Sequence, residues 1–296
     1  MNFKALLGPM RLPFLILAPV CVLLGIGTAY WTTGQINVLY AILALIGGVA
    51  AHISVNAFNE YFDFKSGLDE KTERTPFSGG SGTLQAHPEL AHQALGLAIV
   101  ALVIVVLIGV YFMVVWGWSL LPLGLLGLLV IFAYTPWLAQ NAFACLIAPG
   151  LGFGTLMVMG TDFVLTGEYT WTAFIASLVP FFLVSDLLLL NQFPDVDADR
   201  TVGRLHFPIV IGRKNSSLIY AAFLAAAYLS ILFGVLAGYL PVATLLGLLT
   251  IFLAVPVALG VYKNADDIPN LLPLMGKNVL INILTPVLMA IGLFLG

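Results

Sequence analysis

Residues 38–63 read Val38-Leu-Tyr-Ala-Ile-Leu-Ala-Leu-Ile-Gly-Gly-Val-Ala-Ala-His52-Ile-Ser-Val-Asn56-Ala-Phe-Asn59-Glu60-Tyr-Phe-Asp63. The run carries no charge from Val38 to Asn59 and then ends in two acids. A helix needs about 20 apolar residues to cross the hydrocarbon core of a bilayer, and this stretch is long enough. Carboxylates held at a membrane edge are costly unless they meet cations, which marks them as functional candidates. The arrangement recurs downstream. A second apolar run ends in Asn191-Gln-Phe-Pro-Asp195-Val-Asp197-Ala-Asp199. Because only 8% of the chain is charged, two such acidic clusters stand out from the background.

The rest of the chain fits the same class. Hydrophobic residues make up 61% of the 296 positions, and the mean hydropathy is +1.06, far from the composition of a soluble domain. The expected fold is all-α: a single polytopic membrane domain over 1–296, with nine transmembrane helices around a central cavity. Apolar runs place the spans near 12–30, 37–58, 93–112, 119–135, 141–161, 171–190, 217–238, 242–260 and 277–295. The two long breaks, 59–92 and 191–216, carry the acidic clusters and are expected to be cytoplasmic active-site loops. Nine spans put all eleven basic residues on the side of the N-terminus, while the opposite loops near 31–36, 113–118, 162–170 and 239–241 hold none. The positive-inside bias makes the basic side cytoplasmic. The N-terminal run reads as a first span rather than a signal peptide, because no small-residue cleavage site follows it. A weak four-helix internal repeat is also expected, since Asp63 and Asp199 each follow an even-numbered helix. Basic residues too few and scattered for a nucleic-acid partner leave the lipid bilayer as the surrounding medium. Cys21 and Cys145 sit in apolar runs and read as buried, with no disulfide or zinc spacing.

Spacing points to the chemistry. His52, Asn56, Asn59 and Asp63 lie 4, 3 and 4 residues apart, which is one stripe of a helix. Asn191, Asp195 and Asp199 lie 4 and 4 apart, although Pro194 is expected to kink that stripe. Each stripe aims amides and carboxylates into the same space. Mg2+ prefers hard oxygen ligands and usually takes one or two carboxylates plus phosphate oxygens. Asp63, Asp69, Asp195 and Asp199 are therefore the candidate metal ligands, with Asn59 beside them in the catalytic set, and a polyphosphate is the group such metal would hold. Lys65, Lys71, Arg74, Arg200 and Arg204 follow the clusters and are candidate diphosphate contacts. The stretch Thr75-Pro-Phe-Ser-Gly-Gly-Ser-Gly82 would let backbone approach an anion or cap the site. Tyr134, Asn56 and Asn191 are candidate substrate contacts, and Asn141 is either a contact or a helix cap. His52 is expected to hydrogen-bond a neighbouring helix. Asp186, inside the sixth run, has no partner that the sequence names, and His87, His92 and His206 show no metal-ligand spacing.

With Asn59/Asp63 and Asp195/Asp199 in view, the chain resembles the UbiA superfamily of intramembrane polyprenyltransferases over nearly its whole length. The sequences around the two clusters look most like the 1,4-dihydroxy-2-naphthoate branch, which makes menaquinone precursors. Many members carry a third acid four residues after the first Asp; here that position is Gly67, and Asp69 lies two further on. The resemblance implies Mg2+ as cofactor, a polyprenyl diphosphate donor and an aromatic acceptor, with Asp63, Asp195 and Asp199 around the metal. It also implies a bacterial or archaeal inner membrane. Other acceptors of the superfamily stay open: 4-hydroxybenzoate, haem, a chlorophyll precursor or a glycerol phosphate lipid. An ion-coupled transporter is the rival of a different class, because it too carries intramembrane carboxylates.

Overall fold

The computed structural model describes residues 6–68, 72 and 74–296. Asp69, Lys71 and two further acids of the first loop, Glu70 and Glu73, lie outside the described residues. Eight helices among those described are long and apolar enough to cross a membrane. They are α1 (Leu12–Thr33), α2 (Val38–Ser66), α3 (Pro88–Trp116), α5 (Ala142–Thr166), α6 (Trp171–Asn191), α7 (Gly212–Leu236), α8 (Val242–Lys263) and α9 (Ile268–Leu295). Where a further span is expected at 119–135, the chain forms a shorter apolar helix, α4 (Trp118–Ala133). Large apolar side chains face outward along the helices, Val114 at 82% and Phe252 at 84% exposure among them. Lipid is the solvent that makes such a surface stable.

Several ends differ from the sequence reading, each for a local reason. Asn37 caps α2 by accepting from the Tyr40 amide at 3.2 Å, and α2 then runs to Ser66, well into the expected loop. Gly67 ends it in the left-handed region at φ 72, a conformation that glycine takes without steric cost. Asn59 and Asp63 therefore sit on the helix itself. Helix α9 starts at Ile268 rather than near 277, so Lys277 lies within it. Asn141 is the cap reading made real: its side chain accepts from the Phe143 and Ala144 amides and opens α5.

Helix α6 is the centre of the bundle. Its most apolar window is 72% buried, against 17% for α2 and for α3. It packs on α1, α5, α7 and α9. The contact with α5 is close because Gly150 and Gly154 present bare backbone: a Cβ at Gly154 would lie 2.3 Å from the Phe181 nitrogen. Pro149 precedes a π-helical turn, Leu151–Leu156, which breaks the regularity of α5 beside the interior cavity. Buried polar groups in the spans are mostly paired. Asp162 accepts from the Thr28 and Thr170 hydroxyls at 2.8 Å each. Asp186 is fully buried, and neither of its oxygens has a hydrogen-bond partner among the described residues. Both cysteines are free and buried.

Candidate active site

Helix α2 and the segment after α6 bring the two acidic clusters together across one small polar chamber of about 80 Å3. Asp63 enters from α2. Helix α6 ends at Asn191, Pro194 follows, and a short helix restarts over Val196–Arg200, so Asp195 stands at its N-terminus. The expected continuous stripe is thus broken, yet Asn191, Asp195 and Asp199 all still line the chamber. Asn59 lines it as well and donates its amide to the Thr135 hydroxyl at 3.2 Å.

Arg204 ties the clusters to each other. Its guanidinium pairs with Asp63 on one side and with Asp199 Oδ1 at 3.2 Å on the other. Burial disfavours its charge, but the two carboxylates outweigh that and hold the guanidinium firmly protonated. His206, which the sequence reading set aside, is buried behind Asp199. Its Nε2 lies 3.0 Å from Asp199 Oδ2, and facing a carboxylate that nitrogen must be the donor. Asp195 is different. Oδ1 is buried without a partner, and burial first, then the nearby Asp199 charge, pushes the carboxyl up to about 7.

The glycine-rich stretch forms another wall. Ser78, Gly79 and Gly80 line the chamber. Glu60, on α2 beside Asn59, turns away from it and holds this loop instead: the Ser81 amide donates to its two oxygens at 3.1 and 3.2 Å, and the Ser81 hydroxyl bonds it too. Arg74 serves the same loop, donating to the Ser81 carbonyl at 3.3 Å, and lines no part of the chamber. Lys65 and Arg200 are exposed and also stand outside it. Lys65 rests 5.9 Å from the Tyr61 ring centroid. Asp69 and Lys71 fall outside the described residues.

A second, larger cavity of about 370 Å3 adjoins the chamber and is almost wholly apolar. Helices α2 to α5 supply most of its wall. Arg11, Asn59, Tyr134, Leu188 and Asn191 line both spaces and form the junction between them. Arg11 was read only as a topology signal. It adopts φ 49, the one positive φ outside glycine among the described residues, and its Nε is buried without a partner. A strained non-glycine backbone at a cavity junction is the signal that marks it, and sequence does not carry it. Asn56 lies on the apolar side, its amide donated to the His52 carbonyl at 2.9 Å. His52 itself is a correction. No neighbouring helix offers it a hydrogen bond among the described residues.

The chemistry of the chamber fits a divalent metal. Three carboxylates and three side-chain amides, those of Asn59, Asn191 and Gln192, offer hard oxygen donors, and the orphaned Asp195 oxygen is available to a metal. Among the described residues no three His, Cys, Asp or Glu side chains converge on one point. An ion here would therefore complete its shell with phosphate oxygens and water, as Mg2+ commonly does.

The UbiA prenyltransferase family model matches residues 18–275. The chain belongs to that family. It is an integral multi-pass membrane protein and a transferase of prenyl groups, which sets aside the transporter reading. The 1,4-dihydroxy-2-naphthoate octaprenyltransferase of Bacillus subtilis is 28% identical to it over 267 residues, covering 88% of this chain and 83% of that one. Among solved structures, the apo UbiA homolog from Aeropyrum pernix K1 superposes with a TM-score of 0.69 at 16% identity, over 96% of this chain and 98% of that one. The UbiA homolog from Archaeoglobus fulgidus bound to DMAPP and Mg2+ gives 0.55 at 14% identity, over 94% and 99%. At these identities the two structures speak for the fold.

Proposed function

We propose that this protein transfers a polyprenyl group from polyprenyl diphosphate to 1,4-dihydroxy-2-naphthoate, with Mg2+ as cofactor and the site open to the cytoplasm. The observation that carries the reading is the abutment of a small carboxylate-lined chamber and a large apolar cavity through one shared wall. A donor with a multiply charged diphosphate head and an apolar tail has that shape. Val106, Val110 and Leu125 line the cavity and are also exposed on the outer surface, so a long tail has a way out between α3 and α4 towards lipid. The name of the Bacillus relative supports the acceptor, and the distribution of basic residues supports the orientation.

Asp63, Asp195 and Asp199 would hold the metal, which when bound would neutralise the diphosphate and stabilise it as a leaving group. Arg204 and Arg11 add fixed positive charge where the diphosphate departs. Asn59, Asn191 and Tyr134 position the donor's first carbon at the junction. The C–O bond breaks with its electron pair going to the diphosphate. A ring carbon of the acceptor then forms the new C–C bond, and the acceptor carboxylate leaves as CO2 in the same overall reaction. The proton lost at the prenylated carbon balances the one that replaces the carboxyl. The apolar walls keep water from the allylic cation.

Transfer assayed in detergent with a labelled donor, Mg2+ or EDTA, and a panel of aromatic acceptors tests this. Asp63→Ala and Asp199→Ala are expected to lower turnover by about a thousandfold or more, the scale lost with a transition-state charge contact, while the purified protein keeps its helix content. Turnover near wild type in both would remove the metal-site reading, and product with a different acceptor would keep the chemistry and replace the substrate.

A further inference from the structure

The apolar cavity has single unpartnered polar atoms at its junction, Arg11 Nε and Asn191 Oδ1, and one deeper side chain, His52, with both of its polar atoms unspent. His52 lines the cavity at 2% exposure, and neither ring nitrogen has a hydrogen-bond partner among the described residues. Its ring meets Phe153 edge-on, with centroids 5.2 Å apart and an interplanar angle of 79°. Two polar side chains on its own helix and on α5 are engaged. The Asn56 amide donates to the His52 carbonyl and the Thr161 hydroxyl to the Met157 carbonyl at 2.8 Å. Packing alone does not explain an imidazole here. A leucine or phenylalanine would fill the space against Phe153 without forfeiting two hydrogen bonds to water.

We propose that His52 is the polar contact for the acceptor ring, hydrogen-bonded to one of its hydroxyls. The inference rests on the functional reading above and deepens it. His52 lies seven residues before Asn59 on the same stripe of α2, a rise of about 10 Å. The donor's reacting carbon stays near Asn59, at the junction, because the diphosphate is held in the chamber beyond it. A hydroxylated aromatic ring lying along α2 between these two residues has a carbon at the junction and a hydroxyl at His52. A neutral imidazole offers one donor and one acceptor nitrogen. The acceptor nitrogen takes the hydrogen of the phenolic O–H, which pushes electron density from oxygen into the ring and makes the attacking carbon more nucleophilic. His52 therefore selects ring hydroxyls at a depth where the wall around it is mostly apolar.

The test compares wild type, His52→Gln and His52→Leu as full-length protein in detergent with Mg2+. Acceptor and donor KM are measured separately, together with equilibrium binding of 1,4-dihydroxy-2-naphthoate and its 1,4-dimethoxy analogue in the presence of a non-reactive thiolodiphosphate donor. His52→Leu is expected to raise the acceptor KM by about tenfold or more with the donor KM changed by less than about twofold, and His52→Gln to restore most of the loss. The dimethoxy analogue is expected to bind wild type about tenfold more weakly than the dihydroxy compound, and to be indifferent to His52→Leu. An unchanged acceptor KM in His52→Leu, or an equal rise in both KM values, overturns the proposal. Should His52→Leu fail to fold, equal binding of the two naphthoates by wild type overturns it by itself. If wild type makes product with no aromatic acceptor, the functional reading fails and this inference with it. If wild type turns over and the variants match it, only the inference about His52 fails.

Discussion

Arg204 is the residue on which the two halves of the site meet. It neutralises Asp63 and Asp199 at once, and it lies where a diphosphate would bring its own cations. Removing one partner of a buried ion pair leaves an uncompensated charge, worth about 3–5 kcal/mol. Arg204→Ala is thus expected to raise the donor KM by at least about tenfold, and to lower the thermal midpoint of the metal-free protein, with Mg2+ restoring part of that midpoint. A donor KM that does not move would leave Arg204 a structural clasp. Asp195 gives the pH dependence. Its carboxyl is raised from 3.8 to about 7, so the folded protein keeps this proton to higher pH than the unfolded chain does. The metal-free protein accordingly loses stability as pH rises from about 4 to about 7, and Mg2+ loading weakens as pH falls below about 7, by at most about tenfold per unit for the one proton released. Calorimetry of Mg2+ binding in buffers of different ionisation heat reads that proton directly. Binding with no proton release would take Asp195 out of the metal shell.

At the scale of elements, α2 carries two jobs on two faces. Asn59 and Asp63 line the chamber, while Glu60 faces the loop and accepts from the Ser81 amide. The loop's backbone turns through three left-handed glycines, Gly79, Gly80 and Gly82, a conformation that glycine takes without steric cost, while Thr75 and Ser78 close its first turn by hydrogen bonds. Glu60 and Arg74 add restraint at Ser81 from outside that turn. Glu60→Gln keeps the size of the side chain and removes the charge from these hydrogen bonds, which roughly halves their strength. Amide hydrogen exchange across 75–82 is expected to quicken by about fivefold or more, with the rest of α2 unchanged. Unaltered exchange would mean that the loop is held by its chamber face.

At the scale of the molecule, the buried column is α6, and the polar chamber gathers at one end of it. The proposed function puts that end in the cytoplasm, on the strength of the charge distribution. Cys21 and Cys145 are buried, so a single introduced cysteine reports its own side of the membrane. In intact cells, a membrane-impermeant maleimide is expected to label Gly238→Cys and to spare Asp197→Cys until the membrane is opened. The reverse pattern would invert the proposed topology and put the site on the outer face.

Length, apolar runs and charge were enough to establish a polytopic helical membrane protein, because bilayer thickness and the cost of unpaired backbone in lipid leave few alternatives. The two amide-and-carboxylate stripes were also legible, since residues three and four apart share a helix face whatever the fold. What sequence could not supply was everything that depends on which helix faces which. Arg11 and His206 reach the chamber only because α1 and the segment after α6 close around it, and neither has a spacing that marks it. Lys65, Arg74 and Arg200 follow the acids in sequence, yet the exposed face of α2, the loop bond to Ser81 and the exposed face of a five-residue helix keep them out of the chamber. His52 was expected to find a helix partner and instead faces the apolar cavity. Periodicity decides the face a residue shares, but tertiary packing alone decides whether that face meets another helix, lipid or a cavity.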